Sequence, residues 1–260
     1  MTEPTSLTSA LHKLLQRAIQ AGGGWIGFDR FMALALYAPG LGYYANSGAK
    51  FGTMPEGVKG EGSDFVTAPE LSPLFGQALA AQVGEALAAT GTDEVWEFGA
   101  GSGALAQQLL GTLGETVRRY TIVDLSGTLR ARQQARLAGF GDTVRWVDAL
   151  PEAIQGVVVG NEVLDAMPVK LLVRQGGQAG GVWWERGVAL EGDALAWADR
   201  PTELRPPVEV EGPQDYLSEI HPQAEAFIAT LADRFRASLQ SGGRGGAAFF
   251  LDYGFPESEY

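Results

Sequence analysis

The chain contains no cysteine, which excludes disulfides, thiolate metal sites and thiol catalysis. It holds two histidines, His12 and His221, so far apart in sequence that a histidine-based metal cluster is not expected, and His12 reads as a surface residue. Positive charge is scarce: 19 Lys and Arg against 31 Asp and Glu leave a net charge of −12. A surface of that sign repels a phosphate backbone, so nucleic acid is not an expected partner and a cationic substrate fits better. No apolar run approaches the ~18 residues of a membrane span, and the N-terminus lacks the apolar core of a signal peptide. Glycine, by contrast, is abundant. Its 36 copies follow no repeat period, which suits loops shaped around a ligand. With 260 residues, 45% of them hydrophobic, the chain can bury one large core, or one and a half.

The stretch Glu94 to Leu110, EVWEFGAGSGALAQQLL, organises the rest. Val95 to Phe98 is a short apolar run with the character of a buried parallel strand. Gly99, Gly101 and Gly103 permit a sharp turn and close approach to a ligand, and a helix carrying Leu105, Leu109 and Leu110 follows. Strand, glycine loop and helix N-terminus together suit the polar end of a nucleotide-like cofactor. Gly99, Gly101 and Ala104 satisfy the dinucleotide pattern G-x-G-x-x-G/A. The same loop, with Glu97 as its acid, satisfies the acidic-x-G-x-G-x-G pattern that suits S-adenosyl-L-methionine (SAM). A carboxylate just before the loop opposes a pyrophosphate but attracts the ammonium and sulfonium of SAM, so Glu97 favours SAM. The competing reading makes Glu97 a strand-end residue bonded to loop backbone.

Helical spacing covers residues 7–20 and about 27–37, and a glycine-rich, aperiodic segment at 42–66 has the composition of a lid. Ser72 and Pro73 suit the N-cap and first turn of a helix over about 72–89. Strands at 120–123, 144–147, 157–159 and 247–251 alternate with helices, the first of them at 128–138, which implies a doubly wound parallel sheet. Residues 169–197 alternate and carry a Gly-Gly turn, so an antiparallel β-hairpin is expected there, within an insertion at about 169–215. Trp183 and Trp184 in it read as packing residues. A long helix at 216–239, interrupted near Pro222, should follow. These elements divide into N-terminal helices and lid at 1–92 and a Rossmann-like domain at 93–260. A sheet of this type continues with one more helix and two strands after GFPESEY, so the C-terminal part of the fold is expected to lie outside this sequence.

Acids recur at the carboxyl ends of successive strands: Glu97, Asp124, Asp148, Glu162 and Asp252. In such sheets ligands bind outside those ends. Asp124 lies about twenty residues past the loop, where an acid bonds ribose hydroxyls, though it could equally cap the next helix. Asp148 suits an adenine amino group, with Ala149 and Leu150 beside it, or is a turn acid before Pro151. Asn161, Glu162 and Asp165 follow the fourth strand, where a methyltransferase orients its substrate. Glu162 and Asp165 share a face if the segment is helical, and together could hold a guanidinium, while Asn161 or Asp165 could instead cap a short helix.

The motifs DFVTAPELSPLFG, EFGAGSGALA, YTIVDLS, GNEVLDAMPV and FFLDYGFP, in that order, resemble the MidA-like SAM-dependent methyltransferase family over about residues 25–260. The resemblance implies a class I, Rossmann-like α/β fold with an N-terminal helical region and an inserted hairpin. It implies SAM as methyl donor, held by Gly99, Ala100, Gly101, Gly103, Asp124 and Leu125. Thr67, Pro69 and Glu70 lie in a motif expected to close over the cofactor, and Asn161, Glu162 and Asp165 form the catalytic-side loop. The family includes a mitochondrial complex I assembly factor that dimethylates an arginine symmetrically. The expected partner is therefore a protein substrate, a respiratory-complex subunit among the candidates, in the bacterial cytoplasm or the mitochondrial matrix, with a homodimer compatible. A non-catalytic SAM-binding assembly factor that uses the hairpin to bind a partner, and a small-molecule methyltransferase, are the rival readings.

Overall fold

A computed structural model describes residues 7–45, 67–124, 127–175, 182–208, 212 and 214–254. In chain order the elements are α1 (Leu7–Ala21), β1 (Trp25–Gly27), α2 (Phe28–Tyr37), α3 (Ala68–Leu71), α4 (Pro73–Thr90), β2 (Glu94–Phe98), α5 (Ala104–Leu113), β3 (Arg119–Val123), α6 (Gly127–Leu137), β4 (Val144–Val147), β5 (Gly156–Asn161), β6 (Lys170–Arg174), β7 (Trp183–Glu191), β8 (Ala194–Pro201), β9 (Tyr216–Ile220), α7 (Pro222–Gln240) and β10 (Gly246–Leu251). They form two compact units, Met1–Asn46 with Ala166–Phe227, and Ser47–Asp165 with Ile228–Tyr260. None of the described helices is long and apolar enough to cross a membrane.

The second unit carries a parallel five-stranded sheet in the order β10-β5-β2-β3-β4. The apolar run that marks β2 is buried at every position, as expected for a central strand covered on both faces. Val95, Tyr120, Ile122, Val157 and Val159 pack in one cluster with Leu79, Val83 and Leu87 of α4 and Leu105 and Leu109 of α5. Helix α4 starts where its sequence says: the Ser72 hydroxyl accepts from the Leu74 N–H at 3.2 Å, and Pro73 fills the first turn, where no donor is needed. Gly91, at φ 62°, ends it in the left-handed conformation. Gly156 permits the close approach of β5 to β2, since a Cβ there would lie 2.1 Å from the Glu94 carbonyl oxygen.

The first unit contains an antiparallel sheet in the order β1-β7-β6-β9, with β8 also paired to β7. Ile19 of α1, Ile26 of β1 and Val188 of β7 make its small core, with Phe31 and Leu34 of α2 against them. The hairpin expected at 169–197 is therefore three strands of a larger sheet, and its tight turn lies outside the described residues. Trp183 is buried against the Tyr216 ring at 6.5 Å, which makes it a packing residue.

Two expectations about organisation are corrected. The division at residue 92 fails because α1 and α2 bury their apolar faces on the antiparallel sheet, whereas α4 buries Leu79, Ala80, Val83 and Leu87 on the parallel one. The helix expected from residue 216 begins at Pro222. Residues 216–220 are strand β9, paired with β6, and proline marks the helix start because it lacks the N–H that a helix interior requires. Of the lid expected at 42–66, residues 46–66 lie outside the described residues.

Candidate functional site

The glycine loop leaves β2 through Gly99 (φ 63°), Gly101 (φ 52°) and Gly103 (φ 84°), all in the left-handed region that side chains resist. The Gly103 N–H donates to the Ala100 carbonyl at 2.7 Å, which closes the turn, and α5 starts at the next residue. Ala100 and Ser102 are buried under it, while Gly99 stays exposed.

Glu97 sits elsewhere than its sequence pattern suggests. Its side chain is enclosed at 2% exposure and accepts a hydrogen bond from the Tyr120 hydroxyl at 2.8 Å. Burial pushes its carboxyl up to about 8; the Tyr120 bond opposes that shift and the nearby charge of Asp124 adds to it. At neutral pH Glu97 is thus largely a neutral acid joining β2 to β3, so the carboxylate expected to face the SAM ammonium is not presented by this structure. Strand alternation put an acid into a sheet interior that excludes water, and desolvation decides its charge.

Asp124 ends β3 half-buried, and one oxygen, Oδ2, accepts from Gln133 Nε2 at 2.8 Å. The same nitrogen donates to the Gly101 carbonyl at 3.0 Å, and Gln133 Oε1 accepts from the Trp146 indole at 2.9 Å. Sequence reasoning missed Gln133. The available signal was a polar residue four positions before buried Leu137, on the core face of α6, where a polar group persists only if fully hydrogen-bonded. Asp148 and Ala149, at the end of β4, are both exposed, and Asp148 pairs with Arg130 at 3.0 Å. Leu125 lies outside the described residues.

The TAPEL segment is docked on the loop by its own side chains and backbone. Glu70, its side chain 8% exposed, accepts from the Ser102 hydroxyl and from Arg136 Nη1 at 3.2 Å, and Arg136 also donates to the Ser102 hydroxyl at 2.8 Å. The carbonyl of Pro69 accepts from Gln108 Nε2 at 2.7 Å. Thr67 is the N-cap residue of α3 but makes no side-chain capping bond there. Arg136, Ser102 and Gln108 were also unmarked in the sequence, because surface-type residues carry no pattern until a fold encloses them.

After β5 the chain turns at Glu162, whose φ of 52° is the one positive value among non-glycine described residues. Its backbone N–H donates to the Leu251 carbonyl at 2.8 Å. Asp252, at the end of β10, accepts from the backbone N–H groups of Leu164 (2.8 Å) and Asp165 (3.2 Å) and so holds the turn. The segment is turn and bend rather than the helical turn expected, so Glu162 and Asp165 do not meet as a helix face. They are neighbours all the same. Burial raises the Glu162 carboxyl above its ordinary range, the Asn161 side-chain bond at 3.2 Å opposes this, and the charges of Asp165 and Asp252 add to it. The carboxylate that holds the backbone of this turn is that of Asp252. Val163 joins this turn to the glycine loop, since a Cβ on Gly99 would come within 2.9 Å of Val163 Cγ2. Among the described residues no group of His, Cys, Asp and Glu could hold a metal ion.

Comparison with known proteins places this geometry. Residues 78–260 match the family described as "Putative S-adenosyl-L-methionine-dependent methyltransferase". A Burkholderia thailandensis crystal structure bound to S-adenosyl-homocysteine is 46% identical, with a TM-score of 0.81, over 100% of this chain and 67% of that one. A native crystal structure from the same organism is 44% identical, with a TM-score of 0.76, over 100% and 66%. Two curated mitochondrial relatives, the Caenorhabditis elegans homolog of protein arginine methyltransferase NDUFAF7 and the Danio rerio protein of that name, are each 26% identical over 95% and 96% of this chain. The chain spans 62% and 63% of those two relatives. The expected class I, Rossmann-like fold is thus the one found, and the chain belongs to the MidA-like family of SAM-dependent methyltransferases.

Proposed function

We propose that this chain carries the cofactor and acceptor site of a SAM-dependent methyltransferase acting on a protein arginine. The observation that carries the reading is the turn after β5: Glu162 is held in a strained conformation beside Asp165 and Asp252, and Val163 ties that turn to the glycine loop. Left-handed backbone at a non-glycine residue costs on the order of 1–3 kcal/mol and clusters at functional sites.

The residues present suit SAM. Gly99, Gly101 and Gly103 leave a cradle without side chains, and Asp124 offers a carboxylate to ribose hydroxyls. A bound SAM supplies an electrophilic methyl group, so the remaining task is to place a nucleophile in line. Glu162 and Asp165 bond one edge of a guanidinium, concentrate its positive charge there and leave the opposite nitrogen free to attack. Glu162, with its raised proton affinity, can take from the edge it bonds the proton that the guanidinium loses on methylation. The names of the nematode and zebrafish relatives support arginine as the acceptor.

The test measures cofactor affinity and transfer of labelled methyl to arginine-containing protein. Glu162→Gln is expected to bind S-adenosyl-homocysteine like wild type and to lose roughly 10²-fold in transfer, the scale of one lost electrostatic contact in a transition state. Asp165→Asn, at a more exposed position, should lose less. Normal transfer by Glu162→Gln removes that residue from the mechanism. Label recovered only on small molecules replaces the protein acceptor, and binding without any transfer makes the protein a non-catalytic SAM binder.

A further inference from the structure

Gln133 is fully buried, and its amide bonds to groups at or beyond the ends of three neighbouring strands. Its two N–H groups meet the carbonyl of Gly101, beyond β2, and Asp124 Oδ2, beyond β3. Its oxygen meets the indole N–H of Trp146, in β4. An indole N–H only donates, and a carbonyl and a carboxylate only accept, so the amide has one satisfied orientation. Two consequences follow for the groups it touches. The Asp124 carboxylate loses its freedom to rotate, because Oδ2 is tied. The Gly101 carbonyl is drawn toward α6. In a planar trans peptide the next N–H points the opposite way, so the Ser102 N–H is directed away from α6.

We infer that Gln133 is a positioning residue that aims Asp124 and the loop peptide at the adenosyl part of the cofactor, and that it thereby sets both affinity and the demand for an intact ribose. This rests on the proposed reading of Asp124 and the glycine loop as the SAM site. Gln133 need not touch the ligand. It acts through the two groups that do, and its own position is set by Trp146.

The experiment is calorimetric titration of the 260-residue chain with S-adenosyl-homocysteine and with its 2′-deoxyadenosyl analogue. Wild type should prefer the compound with the full ribose. Gln133→Met removes both donors and is expected to weaken S-adenosyl-homocysteine by about 10-fold or more, the size of one lost buried hydrogen bond. It should weaken the deoxy analogue less, so the preference shrinks. Gln133→Glu keeps the acceptor for Trp146 but sets an acid against Asp124, so its affinity should fall further as pH rises. A purely structural Gln133 would lower the melting temperature and leave the preference intact, and that result, or unchanged affinity in both variants, overturns the inference. If neither variant folds, Trp146→Phe decides: it keeps both donors but releases the amide oxygen, and an unchanged preference there also overturns it. Failure of wild type to bind S-adenosyl-homocysteine would overturn the proposed function itself, whereas wild-type binding with indifferent variants overturns this inference alone.

Discussion

A glutamate between two strands of a parallel sheet is an expensive choice, and at residue scale Glu97 shows what the expense does. In an unfolded chain its carboxyl ionises around the ordinary 4.5; in the folded protein burial holds the proton up to about 8. Between those values the folded state binds more protons than the unfolded state, so stability falls as pH rises and is fully present only below the unfolded value. The loss across the window is on the order of a few kcal/mol. Glu97→Gln mimics the protonated form, and its amide oxygen can still accept from Tyr120. Urea denaturation at pH values across that window should show wild type weakening and the variant staying flat; parallel curves would show that Glu97 does not hold its proton. The acid was legible from its place in the glycine pattern. Its partner was not, because Tyr120 lies 23 residues away and the two meet only across paired strands.

Among elements, those with continuous apolar runs or caps were legible, β5 with its run Val157–Val159 and the start of α4 with its Ser72 cap being the clearest. β9 was not, because Tyr216–Ile220 runs directly into a helical pattern, and only pairing with β6 shows it to be a strand. The turn after β5 misled in the same way: residues 161–165 have helical spacing, yet backbone bonds to Leu251 and Asp252 hold them otherwise. The glycine loop was fully legible as a loop, and it offers the element-scale test. Gly99→Ala would demand a left-handed alanine, at a cost of about 1–2 kcal/mol, and would push on Val163. The variant should fold, melt at a lower temperature and bind S-adenosyl-homocysteine at least several-fold more weakly. Unimpaired binding would mean that the loop tolerates a side chain and is not the cofactor's cradle.

At the scale of the chain the net charge is −12, and acids recur at the strand ends, where the acceptor site is proposed. Such a field steers a cationic acceptor and fades as salt shortens its reach, from about 10 Å at 0.1 M. For an arginine peptide with basic flanks, kcat/KM should fall as salt rises from about 0.05 to 0.3 M while kcat stays level; a flat kcat/KM would exclude steering by net charge. Sequence alone determined the parallel sheet, the glycine loop, the acids at the strand ends and the SAM-type pattern, because each is written in local periodicity or in a contiguous motif. Only tertiary structure decided that the N-terminal helices pack with the antiparallel sheet, that Glu97 is sealed under Tyr120, that Glu162 is strained, and that Gln133 joins three strand ends. Those outcomes depend on burial and on partners far along the chain, and neither quantity exists until the strands pair.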